Sequence, residues 1–271
     1  MPPTPRLLAK TALVTGASRG IGRAVALRFA AEGACVAFSH LGDGDQAQRT
    51  LAELASASTA CGHAKARHLA FDSDAGDPAA IKALVAAVIA TFSRLNILVN
   101  NAGIQMPTPS ASFEDADMAK ILAVNLVGAA CFAREAIAHF LSRPGGGCII
   151  NTTSVHERVP KPGYLAYSVA KGGLGNLTRT LALEFAEHGI RVNAVGPGAV
   201  TTDMNAAWVD EPVARKNVES HIPMGRAATA EEIAPVFAFL ASDEAGYITG
   251  QTIYACGGLT LYGDFKSNWA S

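Results

Sequence analysis

The sequence predicts an α/β fold in a single domain, and three observations carry that reading. Short apolar runs of strand length alternate with longer stretches whose apolar residues recur at helical spacing, from Thr11 to Ala255. The first strand runs straight into a glycine-rich turn and then a helix. No linker, internal repeat or low-complexity segment interrupts residues 11–271, which read as one unit behind a flexible, proline-rich head of residues 1–10. Hydrophobic residues make up 49% of the 271 and charged residues 17%, enough apolar material for a large core.

Composition also excludes partners. A formal net charge of -1 points away from nucleic acid and from anionic membranes. The longest apolar runs read as too short or too interrupted to span a bilayer. The head has three prolines and lacks the apolar stretch of a secretory signal. Five scattered cysteines without CxxC spacing fit reduced thiols in the cytoplasm. The seven histidines show no metal-ligand spacing, so no metal is expected.

In chain order, Thr11–Thr15 is an apolar strand and Gly16 to Gly22 a GxxxGxG turn, followed by a helix from Arg23 to Ala31 that ends at Gly33. Such glycines let the backbone approach a pyrophosphate, and the helix N-terminus offers free N–H groups. Gly16, Ser18, Arg19, Gly20, Ile21 and Gly22 are therefore candidate dinucleotide contacts, with a plain tight turn as the alternative. Ala34–Phe38 is the second strand, ending at Ser39 and His40, two further candidates. An Asp or Glu is expected at that end when the cofactor is NAD. Here Asp43 and Asp45 come later, in a glycine-containing loop. Arg19 could pair with a 2′-phosphate through its planar fork, which favours NADP over NAD; a solvated turn residue is the alternative.

Gln46–Ala60 reads as a helix, and Ala64–Phe71 as a strand ending at Asp72, a candidate for the adenine edge. A helix starts at Asp77-Pro78, with Ile81, Leu84, Val85, Val88, Ile89 and Phe92 as its core face. The strand from Leu95 ends in Asn100, Asn101, Ala102 and Gly103, where open α/β sheets bind ligands. Asp117–Leu141 is helical and carries Asn125 among apolar neighbours; that amide either serves the site or is satisfied within its own helix. Cys148–Ser154 is a strand that delivers Ser154 to its carboxyl end, before a loop with His156 and Glu157.

The next helix, Tyr164 to about His188, places Tyr167 and Lys171 four apart on one face. A phenol has a pKa near ~10, and an adjacent ammonium lowers it toward the range of a working acid/base. An ordinary surface helix is the alternative. After the strand Arg191–Val195, the turn at Pro197 and Gly198 leads into Val200 and Thr202, whose backbone and hydroxyl are cofactor candidates. Residues 204–223 read as a partly helical, lid-like insertion, Ala230–Ala241 as a helix, and Gln251–Ala255 as the last strand.

Together, Thr15–Gly22, Asp72, Asn100–Gly103, Asn125, Ser154, Tyr167–Lys171 and Pro197-Gly198 followed by Thr201 resemble the short-chain dehydrogenase/reductase family over nearly the whole chain. The resemblance implies a doubly wound parallel sheet (Rossmann-type) with helices on both faces, NAD(P)-dependent oxidoreduction of a small molecule, and a homotetramer. It implies Ser154, Tyr167 and Lys171 as the catalytic set, with Tyr167 and Lys171 also touching the cofactor and Asn125 supporting a water-linked proton route. Ser154–Glu157, Gly196–Ala199, Val218–Gly225 and Gly257–Tyr262 are most like the bacterial glucose 1-dehydrogenases. That implies an aldose such as glucose, oxidised at its anomeric carbon, with His156, Glu157 and Asn205 as candidate sugar contacts. A ketone or 3-oxoacyl reductase and a non-catalytic NADP-binding regulator are the alternatives.

Overall fold

A computed structural model describes residues 5–261; positions 1–4 of the head, and the end of the chain from Tyr262, lie outside it. Among the described residues, seven parallel strands form one sheet in the order β3-β2-β1-β4-β5-β6-β7. They are β1 (Thr11–Val14), β2 (Cys35–His40), β3 (His68–Asp72), β4 (Ile97–Asn100), β5 (Gly147–Thr152), β6 (Ile190–Pro197) and β7 (Thr252–Ala255). The helices are α1 (Gly20–Ala31), α2 (Gly44–Ala60), α3 (Pro78–Phe92), α4 (Asp115–Leu122), α5 (Ala129–Leu141), α6 (Leu165–Phe185), α7 (Ala206–Val209), α8 (Pro212–Ser220) and α9 (Ala230–Ala241). The doubly wound expectation holds.

Alternation along the strands sorts the core onto two faces. Ala12 and Val14 pack with Phe29 of α1 and Phe237 of α9 on one face. Leu13 between them packs with Leu84, Val88 and Phe132, from α3 and α5, on the other. Strand order runs outward from β1 to β3, then returns to β4 on β1's other side. The chain thus reverses direction between β1 and β4, which opens a crevice at their carboxyl ends.

Local signals explain the helix ends. Asp77 accepts a hydrogen bond from Ala79 N at 2.9 Å, with Pro78 in the first turn of α3. Thr229 and Glu232 form a reciprocal capping box on α9.

Three expectations change here. The long helix is not uniform: a π-helical stretch, Ala123–Gly128, joins α4 to α5. The apolar stretch is also longer than the sequence reading allowed. Asp115–Leu141 is continuous over 27 residues and apolar enough to cross a membrane, but half of its apolar 18-residue window is buried against the fold, as in a core helix. Residues 6–10 of the head pack on the body, with Leu7 fully buried and Arg6 ion-paired with Glu32.

Candidate active site

The crevice between β1 and β4 opens into a cavity of about 1120 Å³, larger than the ~300–1,000 Å³ usual for one small ligand. Two turns that the sequence marks separately are tied together at its floor. The Thr15 hydroxyl accepts from the backbone N–H groups of Asn101 and Ala102, each at 2.9 Å. Asn101 Nδ2 donates to the carbonyls of Thr15 and Gly16, each at 3.0 Å. A Cβ at Gly16 would meet Ala102 Cα at 2.8 Å, and Gly16 has φ +62°, so this close approach needs glycine twice over. From the second strand, the Ser39 hydroxyl accepts from Gly16 N at 3.2 Å.

Every candidate site residue read from the sequence lines this cavity except Gly22, Asp72, Asn100, Asn125 and Glu157. Gly22 lies beneath the turn, where a Cβ would strike Asn101 Nδ2 at 2.4 Å; it serves packing. Asp72 is turned outward and accepts from Gly42 N at 3.2 Å. The cavity wall after β3 is instead Ser73 to Gly76, which sequence reasoning missed because a loop without periodicity carries no signal. Glu157 lies off the cavity, packed against Gly175 of α6, and accepts from the Thr252 hydroxyl at 3.1 Å. Asn125 is bonded across a gap to one residue: Oδ1 accepts from Ile104 N and Nδ2 donates to Ile104 O, both at 2.8 Å. The amide is thus satisfied across that gap and not within its own helix. A Cβ at Gly103 would lie 3.4 Å from Asn125 Oδ1 and 3.7 Å from Lys171 Nζ, so these groups flank Gly103.

Ser154, Tyr167 and Lys171 converge on one wall. Ser154 ends the β5 segment and begins a single 3₁₀ turn, Val155–Glu157; its hydroxyl accepts from His156 N at 3.1 Å. The Ser154 side chain also stands beside the Tyr167 phenol and favours its ionised form. Lys171 Nζ donates to the Thr152 carbonyl at 2.7 Å and stands 5.6 Å from the centre of the Tyr167 ring. Helix α6 is fixed to the sheet by buried amides: Asn100 donates to Asn151, which donates to the Thr178 hydroxyl, both at 2.9 Å.

Electrostatics departs from the expectation that Lys171 lowers the phenol's pKa. Burial raises Tyr167 above the ordinary phenol value, and the Ser154 hydroxyl opposes it. Burial also lowers Lys171 to about 8, with Glu157 pulling it back up. Both groups lie in the same dry wall, so each is driven toward its neutral form. His156 packs edge-on to Tyr167 at 6.3 Å, and its Nδ1 engages the Val159 carbonyl at 2.8 Å; burial lowers its pKa.

At the other end, one premise of the NADP reading is corrected. Asp43 lines the cavity and accepts from the Ser18 hydroxyl at 2.6 Å. Its Oδ1 lies 3.3 Å from His40 Nδ1 without hydrogen-bond geometry. Among the described residues, Arg19, 65% exposed, pairs only with the exposed Asp203, at 3.7 Å. The residues 203–222 form the remaining wall, with Met204, Asn205, Trp208 and Val218 on the cavity; Asn205 donates to the Val200 carbonyl at 2.8 Å.

The cavity fits a dinucleotide. Helix α1 begins at the glycine turn with no acidic residue in its first turn and no side-chain cap on its N–H groups. Among the described residues, Ser73 Oγ is a buried cavity-wall atom without a hydrogen-bond partner, as is Asp43 Oδ1. No cluster of metal-ligating side chains occurs among the described residues.

A family model described as enoyl-(acyl carrier protein) reductase matches residues 16–260. The chain is 46% identical to a glucose 1-dehydrogenase of Gluconobacter oxydans, over 98% of this chain and 97% of that one. It is 42% identical to 3beta-hydroxysteroid dehydrogenase 1 of Eggerthella lenta, over 96% and 97%. Among solved structures, a short-chain dehydrogenase/reductase from Serratia marcescens superposes with a TM-score of 0.85 at 36% identity, covering 94% of this chain and all of that one.

Proposed function

The chain belongs to the short-chain dehydrogenase/reductase family of NAD(P)-dependent oxidoreductases, and from that premise we propose that it oxidises an aldose such as glucose at the anomeric carbon. The observation that carries the catalytic part is the meeting of Ser154, Tyr167 and Lys171 on one wall of the crevice.

In the oxidative direction, Tyr167 takes the proton from the substrate hydroxyl while Ser154 holds that oxygen. Lys171 binds the nicotinamide ribose and, when charged, draws the phenol toward the phenolate, against the burial that raises it. Asn125 fixes the Ile104 backbone beside Gly103 and serves the proton route behind Lys171. The bound nicotinamide supplies the hydride acceptor. The glycine turn and α1 hold the pyrophosphate, with Thr202 and the Pro197-Gly198 turn at the nicotinamide end. Residues 204–223 act as the lid, and four copies assemble.

NADP is the proposed cofactor, through Arg19, whose fork keeps donors free beside a loose surface pair. Asp43 opposes that choice, so the two side chains act with opposite sign on a 2′-phosphate.

The aldose reading draws on the glucose 1-dehydrogenase relative and on His156 at the substrate end. A second reading, an apolar ketone, 3-oxoacyl or related secondary-alcohol substrate, is favoured by Met106, Met204, Trp208 and Val218 in the cavity lining. Absorbance of reduced nicotinamide separates them. Growth with glucose supports the first reading, and consumption of NADPH with 3-oxo esters the second. Silence with aldoses, ketones and steroids alike would leave a non-catalytic NADP-binding regulator.

A further inference from the structure

The turn that carries Ser154 packs on α6. Ser154 and His156 line the cavity with Tyr167, while Glu157, the last residue of the same turn, lodges against Gly175, one turn farther along α6. Its side chain is only 6% exposed. The slot it fills exists because residue 175 is glycine: a Cβ there would stand 2.6 Å from the Glu157 carboxyl carbon. Gly175 is one turn beyond Lys171 on the same helical face. Thr252 of β7 donates its hydroxyl to the carboxylate at 3.1 Å, and Arg179 reaches it at 3.7 Å from a side chain 55% exposed. Carboxylates are rarely buried without a task or a full set of partners, and here the cation is a loose, solvated one.

We propose that Glu157 is a positioning residue for Lys171, a negative charge set one turn along the same face of α6 that holds the lysine in its ammonium form. Its location solves a problem the site creates. A buried amine sheds its proton, yet it must be charged to draw the Tyr167 proton away. The direction of the Lys171 shift agrees: burial lowers it and Glu157 raises it. The other charged or titratable groups around this pair are Tyr167 on α6, His156 and Arg158 on the turn, Arg179 farther along α6, and Tyr254 on β7. Burial and the Glu157 charge raise Tyr254, which keeps that phenol neutral. Arg179 is the only one of them that partly cancels Glu157 by direct pairing among the described residues. The proposal rests on Lys171 serving the reaction described above, but its test does not need turnover.

The test is a pH titration of Lys171 by NMR of protein labelled with [13Cε]lysine, the resonance identified by its loss in Lys171→Arg. Glu157→Gln keeps the shape and the Thr252 hydrogen bond and removes the charge. Its Lys171 titration is expected to fall by roughly half a pH unit or more. Arg179→Gln, on the exposed side, unmasks Glu157 and is expected to move the titration upward. A titration unmoved in either variant, or moved the same way in both, overturns the proposal; if Glu157→Gln does not fold, Arg179→Gln decides alone. Wild-type protein that turns over no substrate while the two shifts appear would instead overturn the catalytic reading and leave the coupling standing.

Discussion

Burial and charge pull in opposite directions on Lys171, and the outcome is measurable as stability. Its folded pKa of about 8 lies below the ordinary 10.5. Between those values the unfolded chain binds more protons than the folded one, so stability rises with pH. Wild-type protein should therefore gain on Lys171→Met between pH 8 and 10.5, by up to about 3 kcal/mol, in denaturant unfolding at several pH values. A constant gap across that range contradicts a desolvated lysine. At the opposite end of the cavity, Arg19→Ala should weaken NADPH binding relative to NADH, and Asp43→Asn should strengthen it, each by about tenfold. Titration of nucleotide fluorescence checks both; a ratio unchanged by Arg19→Ala removes the ground for NADP. Ser154, Tyr167 and Lys171 were legible in the sequence because helical spacing and a strand end fix their direction. Glu157 and Asp43 were not. A loop residue's side is decided by packing, here by a slot at Gly175 and by the Ser18 hydroxyl, which no spacing rule announces.

At the level of elements, most boundaries followed from apolar periodicity and from caps such as Asp77 and Thr229. The π-helical stretch did not. It depends on a distant loop: a Cβ at Gly128 would stand 1.9 Å from the Ala75 carbonyl oxygen, so that loop rests directly on the helix backbone. The extra residue per turn presents Asn125 to Ile104, as such insertions often do at working sites. Gly128→Ala should cost about 1–3 kcal/mol through overpacking and should weaken nucleotide binding, because Ala75 and Gly76 line the cavity. Thermal unfolding with and without nucleotide tests this. An unchanged midpoint in both would show that the loop does not need the glycine.

For the whole molecule, the sheet order places the glycine turn, the Asn101–Gly103 turn and helix α6 around one crevice, though they lie far apart in sequence. Assembly is a property at this scale as well. Val169 and Leu183 are exposed on one face of α6, and Val127 on the neighbouring π stretch. Four copies of the 28.0 kDa chain give about 112 kDa, the mass expected by sedimentation; a 28.0 kDa species at micromolar concentration contradicts the tetramer. The central claim is that the Tyr167 phenol moves the substrate proton beside bound nicotinamide. It is tested most directly by comparing wild-type protein and Tyr167→Phe for nucleotide affinity and for kcat on the best substrate of the aldose and ketone panel. The expected result is unchanged nucleotide binding with kcat reduced by about 10²–10⁴, and near-normal kcat in the phenylalanine variant would contradict it.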